Sequence, residues 1–172
     1  MKSIFYIVIL TTMVFAKIPS ADPAQFVTTE FSVEGKVLDH LVLDKEKIKQ
    51  LPQFTSGKRS IVCMSGDVKT QPQTFSGVLL KDILDLAKIK IDNKREMNTI
   101  YVIVHSSDGY QALFSYHEIY NTPIGEKIVV FYKKDGLLLN ENEGGFGLIS
   151  LNDDRNGPRH IKWLDKIIVK SY

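Results

Sequence analysis

The sequence predicts an α+β fold: mixed, largely antiparallel sheets with a few short helices. Three observations carry this expectation. Candidate strands outnumber candidate helices along the chain. Most connections are too short for the crossover helix that joins neighbouring parallel strands. Turn signals such as Lys134-Asp135-Gly136 separate apolar runs, as hairpins require.

The elements follow in order. Phe26 to Gly35 partly alternates between apolar and polar residues and reads as an opening strand; Leu41-Val42-Leu43 is a second, shorter one. Asp44 is placed to cap a brief helix over 45–50, which Pro52 stops. Arg59 to Met64 reads as a strand carrying Cys63, and 65–74 as a polar loop. Phe75-Ser76-Gly77-Val78-Leu79-Leu80 leads into a helix ending near Ala87, with Leu79, Leu80, Ile83, Leu84 and Leu86 as its expected apolar face. Tyr101 to His105 is rich in β-branched residues and predicts a strand. Ser106 to Gly109 turns the chain, Tyr110 to Phe114 continues it, and Tyr116 to Tyr120 reads as a helical turn. Lys127 to Tyr132 predicts a buried strand that turns at Asp135-Gly136 into Leu137-Leu138-Leu139. Gly144 to Gly147 opens a last expected pair, Leu148 to Leu151 with His160 to Val169.

The first residues stand apart from these elements. Met1-Lys2-Ser3 is a short positive start, Ile4 to Phe15 is almost wholly apolar, and Val14-Phe15-Ala16 closes the run with a small-residue cleavage signal. This pattern predicts a signal peptide over 1–16, with a cut after Ala21 as the alternative. About a dozen apolar residues are too few to span a bilayer, so no stable membrane span is expected after cleavage. The expected product is a single exported domain over 17–172, periplasmic or secreted.

The formal net charge of +2 falls to +1 when Lys2 is removed, since residues 1–16 contain no acid. Such a balance lacks the basic field that nucleic acid requires, so the expected partners are small molecules or proteins. Cys63 is the sole cysteine, which excludes an internal disulfide and leaves stability to the core. A buried structural thiol and a metal ligand are both open readings of it.

The common catalytic signatures are missing. There is no G-x-G-x-x-G, Walker loop, H-E-x-x-H or C-x-x-C, and the four histidines (His40, His105, His117, His160) have no metal-ligand spacing. Residues 152–157 (Asn-Asp-Asp-Arg-Asn-Gly) look faintly like a calcium loop, but the glycine is misplaced for an EF-hand and no closing glutamate follows. Gly157-Pro158-Arg159-His160-Ile161-Lys162-Trp163 is the richest stretch: a turn delivers Arg159, His160 and Lys162 within four positions. A guanidinium and an ammonium so placed suit a phosphate or carboxylate. A salt-bridged surface turn is the plainer reading. Ser107-Asp108-Gly109-Tyr110 puts Asp108 and Tyr110 either in the same pocket or in ordinary turn and core roles.

Taken together, "VEGKV", "FSGVLL", "HSSDGYQALFS", "DGLLL" and "GPRHIKWLDKIIV" resemble, in that order, the molybdopterin-binding domain of the sulfite oxidase-like oxidoreductases, from about Phe31 to Val169. The resemblance implies that Arg159, His160 and Lys162, with Asp108 and Tyr110, hold a pterin phosphate or an anionic substrate. It implies that Cys63 ligates molybdenum, a soft thiolate suiting a metal that also carries the pterin dithiolene. The implied function is molybdenum-dependent oxidoreduction of a small substrate, with electrons passing to a separate redox protein, since nothing here resembles a haem or iron–sulfur site. The pattern departs from the family where Gly147-Leu148-Ile149-Ser150-Leu151 replaces a second basic grip, and after Cys63, where an arginine-rich segment is missing. Those departures point to the alternative: a non-catalytic module on the same scaffold that binds a small anion, a pterin fragment or a protein partner. Sulfite oxidation itself is not expected.

Overall fold

Five successive apolar residues, Ile128 to Tyr132, are all buried, which in a strand means that both of its faces are covered. The computed structural model describes residues 22–172, and this strand (β7, Ile128–Lys134) is the middle of one of its two sheets. The expected leader and its cleavage positions lie outside the described residues.

The sheet around β7 has β4 (Phe75–Leu79) on one side, with β3 (Phe54–Thr55) beyond it. On the other side lie β8 (Leu137–Leu138) and β9 (Gly147–Ser150). All of these pairings are antiparallel. The β7–β8 turn places Asp135 and Gly136 at positive φ, as a two-residue hairpin of this hand requires. Gly77 is needed for close approach: a Cβ there would collide with the Val130 carbonyl and the Phe131 backbone of β7.

The second sheet has the order β2 (Leu41–Asp44), β1 (Glu30–Gly35), β10 (Leu164–Ser171), β5 (Ile100–Ser106), β6 (Gln111–Ser115). Only β1 and β10 run parallel, and they are distant in sequence. The mixed, mainly antiparallel α+β architecture therefore agrees with the expectation.

Three short helices complete the fold. Asp44 caps α1 (Lys45–Ile48) by accepting a bond from the Lys47 amide. Helix α2 (Leu80–Ala87) buries Leu80, Ile83, Leu84 and Ala87 between the sheets. Leu86 is 42% exposed, and Ala87 completes the apolar face in its place. Helix α3 (Tyr116–Tyr120) begins with a reciprocal capping box between Ser115 and Glu118.

Two pairings differ from the expectation. Residues 148–151 and 160–169 do not form one hairpin: β9 joins β7, β10 joins β1 and β5, and the two segments meet through an isolated bridge between Leu148 and Ile161 and a bond from the Leu164 amide to the Phe146 carbonyl. Residues 59–64 are not a sheet strand either. They form one arm of an irregular two-arm ribbon, bridged between Arg59 and Gln73 and between Val62 and Val68. The expected polar loop is the returning arm. The two ends of the ribbon bond through Ser56, whose hydroxyl accepts the Phe75 amide.

The main core lies between the two sheets and around α2. A smaller cluster of Phe75, Val129, Phe131, Ile149 and Leu151 occupies the other face of the β7 sheet, covered in part by Ile61 of the ribbon. Gly77→Ala should therefore destabilise the protein by about 3 kcal/mol or more, because backbone, not a yielding side chain, meets the new methyl. Urea denaturation of the two proteins measures it.

Candidate functional site

The ribbon brings Cys63 to the edge of the smaller core. Its arms bond through Arg59 and Gln73 (2.8 and 2.9 Å), from Lys69 N–H to the Ile61 carbonyl (2.8 Å), and from Cys63 N–H to the Asp67 carbonyl (2.9 Å). Gly66, at φ +93°, closes the tip. Cys63 is half-buried with a free thiol, and Met64 beside it is 65% exposed.

The turn from Asn156 to His160 docks against this arm. Buried Asn156 accepts the Val62 amide on Oδ1 (2.9 Å) and donates Nδ2–H to the Ser60 carbonyl (3.1 Å). The Gly157 amide donates to the Val62 carbonyl at 2.9 Å. Tyr110, from the β5–β6 turn, donates its hydroxyl to the Pro158 carbonyl at 2.8 Å. The cysteine arm and the turns holding Tyr110 and Pro158 thus meet around residues 156–158.

The basic residues of the last turn diverge from there. Arg159 points back toward α3 and β6. Its Nε and Nη2 donate to the two oxygens of Asp153 (2.6 and 2.5 Å), and Nη1 donates to Glu118 (2.8 Å). The guanidinium lies 4.5 Å from the Phe114 ring centre, a favourable cation–π position. Burial opposes its charge, but Asp153 and Glu118 more than offset this and hold its pKa above the ordinary arginine value. Glu118 is likewise held below the usual carboxylate range: burial would raise it, and the Ser115 amide, Arg159 and the Ser115 hydroxyl together prevail.

His160 points the opposite way, onto the smaller core. Its ring stacks on Phe131 (centroids 5.9 Å, 26°) and meets Phe75 edge-on at 6.4 Å. Burial, followed by the nearby charges of Lys162 and Lys134, pushes its pKa down to about 4, so it is neutral at pH 7. Lys162 lies 5.7 Å from the Trp163 ring centre and makes one long bond, 3.4 Å, to the Asn142 carbonyl. Asp108 accepts the Tyr110 amide at 2.9 Å in an Asx turn. Two clefts flank the cysteine arm. One, of about 490 Å³, is lined by Met64, Ile124, Arg155, Pro158 and Arg159; the other, of about 370 Å³, by Arg59, Ser60, Val62 and Asn156. Asp153 and Asp154 stand in the walls of both.

The sequence profile of the oxidoreductase molybdopterin binding domain matches residues 16–172. The chain belongs to that family. Among solved structures, its fold is similar to the sulfane dehydrogenase SoxCD from Paracoccus pantotrophus, with a TM-score of 0.62 and 13% identity. The match covers 90% of this chain and 40% of that one, so this chain spans less than half the length of its structural neighbour. No curated protein matches it.

The motif Arg159-His160-Ile161-Lys162 does not fit the phosphate end of molybdopterin, the group this family is named for. Two carboxylates already surround Arg159 and His160 is neutral, while the clefts along the cysteine arm carry Arg155 and Arg59 as well as Asp153 and Asp154. Lys162 is left as the one loosely held cation of the motif. The half-buried thiol has the softness a molybdenum ligand needs. Among the described residues no group of three His, Cys, Asp or Glu side chains is placed to hold a metal.

Sequence reasoning took Asp153 and Asn156 only as part of a faint calcium-type loop and overlooked Glu118. The capping signature Ser115-x-x-Glu118 and the acid-rich run before Arg159 were visible signals. Nothing local marks Asn156, whose partners lie 94 and 96 positions away.

Two outcomes follow. Arg159→Gln should cost about 2 kcal/mol of stability, since it leaves two partly buried carboxylates without their cation; urea midpoints read this directly. The folded protein binds fewer protons at His160 than the unfolded chain does. This contribution to stability is therefore complete above pH 6.5 and is lost as pH falls toward about 4. His160→Phe, which keeps a ring against Phe131, should flatten the pH dependence of the denaturation midpoint between pH 6.5 and 5.

Proposed function

We propose that this chain is an exported, non-catalytic binding module on the molybdopterin-binding oxidoreductase scaffold. Its ligand is a small molecule without a phosphate, such as a pterin fragment, held in the cleft lined by Met64. The observation that carries the reading is the state of Arg159: a guanidinium closed by Asp153 and Glu118 has no charge left for a pterin phosphate. The cleft lined by Met64, Ile124 and Pro158 offers an apolar floor for a flat ring. The exposed Asp154 carboxylate in its wall suits the N–H edge of a pterin heterocycle. Export rests on the leader-like residues 1–16.

Cys63 favours a second reading, a molybdenum-dependent oxidoreductase acting with a separate electron-transfer protein. It is a free, half-buried thiol in the segment where the family resemblance places the metal ligand.

Metal and pterin analysis separates the two. The protein, and a Cys63→Ser variant, would be purified from a host that loads a known family enzyme. The binding-module reading expects no stoichiometric molybdenum or tungsten in either protein, and saturable quenching of pterin fluorescence that Asp154→Asn weakens about tenfold. Near-stoichiometric metal with pterin, lost in Cys63→Ser, would establish the oxidoreductase.

A further inference from the structure

The ribbon over 59–73 bonds mostly to itself, and its contacts with the rest of the protein near Cys63 are few. Arg155 donates to the Met64 carbonyl, and Gly157 donates to the Val62 carbonyl. The remaining two bonds both belong to the side chain of Asn156, which is 4% exposed. Its amide acts as a substitute peptide group. Oδ1 takes the Val62 N–H and Nδ2 supplies the Ser60 carbonyl, so residues 60–62 have partners as if another strand ran beside them.

We infer that Asn156 is the positioning residue for Cys63: its side chain, with the Gly157 backbone, sets where the thiol stands and how far it opens to solvent. Three features converge on this. The bonds fall on the residues immediately before the cysteine. They use both ends of one planar group, so the arm is fixed in direction as well as distance. Gly157 lets the two backbones approach, because a Cβ there would stand 2.8 Å from the Val62 carbonyl oxygen and 3.4 Å from the Cys63 Cα. A buried Asn is costly unless its donor and acceptor are both met, and here one segment meets them. The inference does not depend on which ligand the protein binds.

The test is the rate at which a thiol reagent labels Cys63 in the full chain, well below the melting transition. Hydrogen exchange at a buried β7 amide reports global opening in parallel. Asn156→Ala should raise the labelling rate about tenfold or more, with β7 exchange changed much less. Ser65→Ala, which removes only the bond from Ser65 to Asp67 at the ribbon tip, should leave the rate near that of the parent. Gly157→Ala should repeat the Asn156→Ala effect by pushing the arm away, and it decides the matter where Asn156→Ala does not fold. An unchanged labelling rate in the folded variants, or a rise matched by β7 exchange, would overturn the inference.

Discussion

Burial of β7 on both faces is the constraint from which the rest of the architecture follows. Ile128, Val130 and Tyr132 face the core shared with the other sheet, while Val129 and Phe131 face away from it. A sheet with only one covered face would leave Phe131, Phe75 and Ile149 in water, at roughly 1.5–3 kcal/mol each. The chain covers them with irregular pieces, not with another sheet. Ile61 comes from the ribbon, and the His160 ring comes from the last turn. Cys63 is carried to its place as part of that cover. The candidate site is thus a consequence of packing: the segments that cap the smaller core also bring the thiol and the last turn together.

Charge compensation explains why that turn is ordered. Arg159 sits partly buried over Phe114, where an isolated guanidinium would be poorly solvated. Asp153 supplies a bidentate partner from six residues earlier, and Glu118 reaches it from α3. Glu118 meets two demands at once: one oxygen accepts from Ser115 to cap the helix, and the other accepts from Arg159. The helix start, the β6 edge and the last turn are tied together by this carboxylate. A network of this kind fixes geometry more than it adds net stability, because much of its Coulomb energy offsets desolvation.

Features governed by local chemistry were legible in the sequence. The Asp44 cap, the Asp135-Gly136 hairpin, the α2 segment and the run of β7 all depend on residues within a few positions of each other. What was not legible depends on distant partners. The β9 and β10 segments look like a hairpin because both are apolar and near in sequence, yet β10 finds β1, more than a hundred residues away, and β9 finds β7. The cysteine arm reads as a strand by composition, but its neighbour is a side-chain amide and not a sheet. Leu80, Ile83 and Leu84 lie on the buried face as the apolar spacing suggests, but Ala87, at the i+3/i+4 position, and not the larger Leu86, completes it. Of the site, the sequence marked Arg159, His160, Lys162, Tyr110 and Cys63 as neighbours of interest but carried no sign of their directions.

Those directions bear most on function. Arg159, the last residue of a 3-10 turn, faces α3 and β6, while the His160 ring lies on Phe131 and Phe75 with the charges of Lys162 and Lys134 nearby. Four adjacent positions that look like one anion grip are divided between two environments, one closed by carboxylates and the other floored by aromatic rings. A phosphate bound at Arg159 would have to displace Asp153 or Glu118 and leave that carboxylate unpaired in a partly buried place. One bound at Lys162 would have a single ammonium and a neutral imidazole. Neither arrangement matches the bidentate, multiply charged contact that tight phosphate binding uses. What the scaffold keeps is a free, half-buried thiol on an arm flanked by two small clefts, and this is why the reading turns on Cys63 and its support and not on the basic motif.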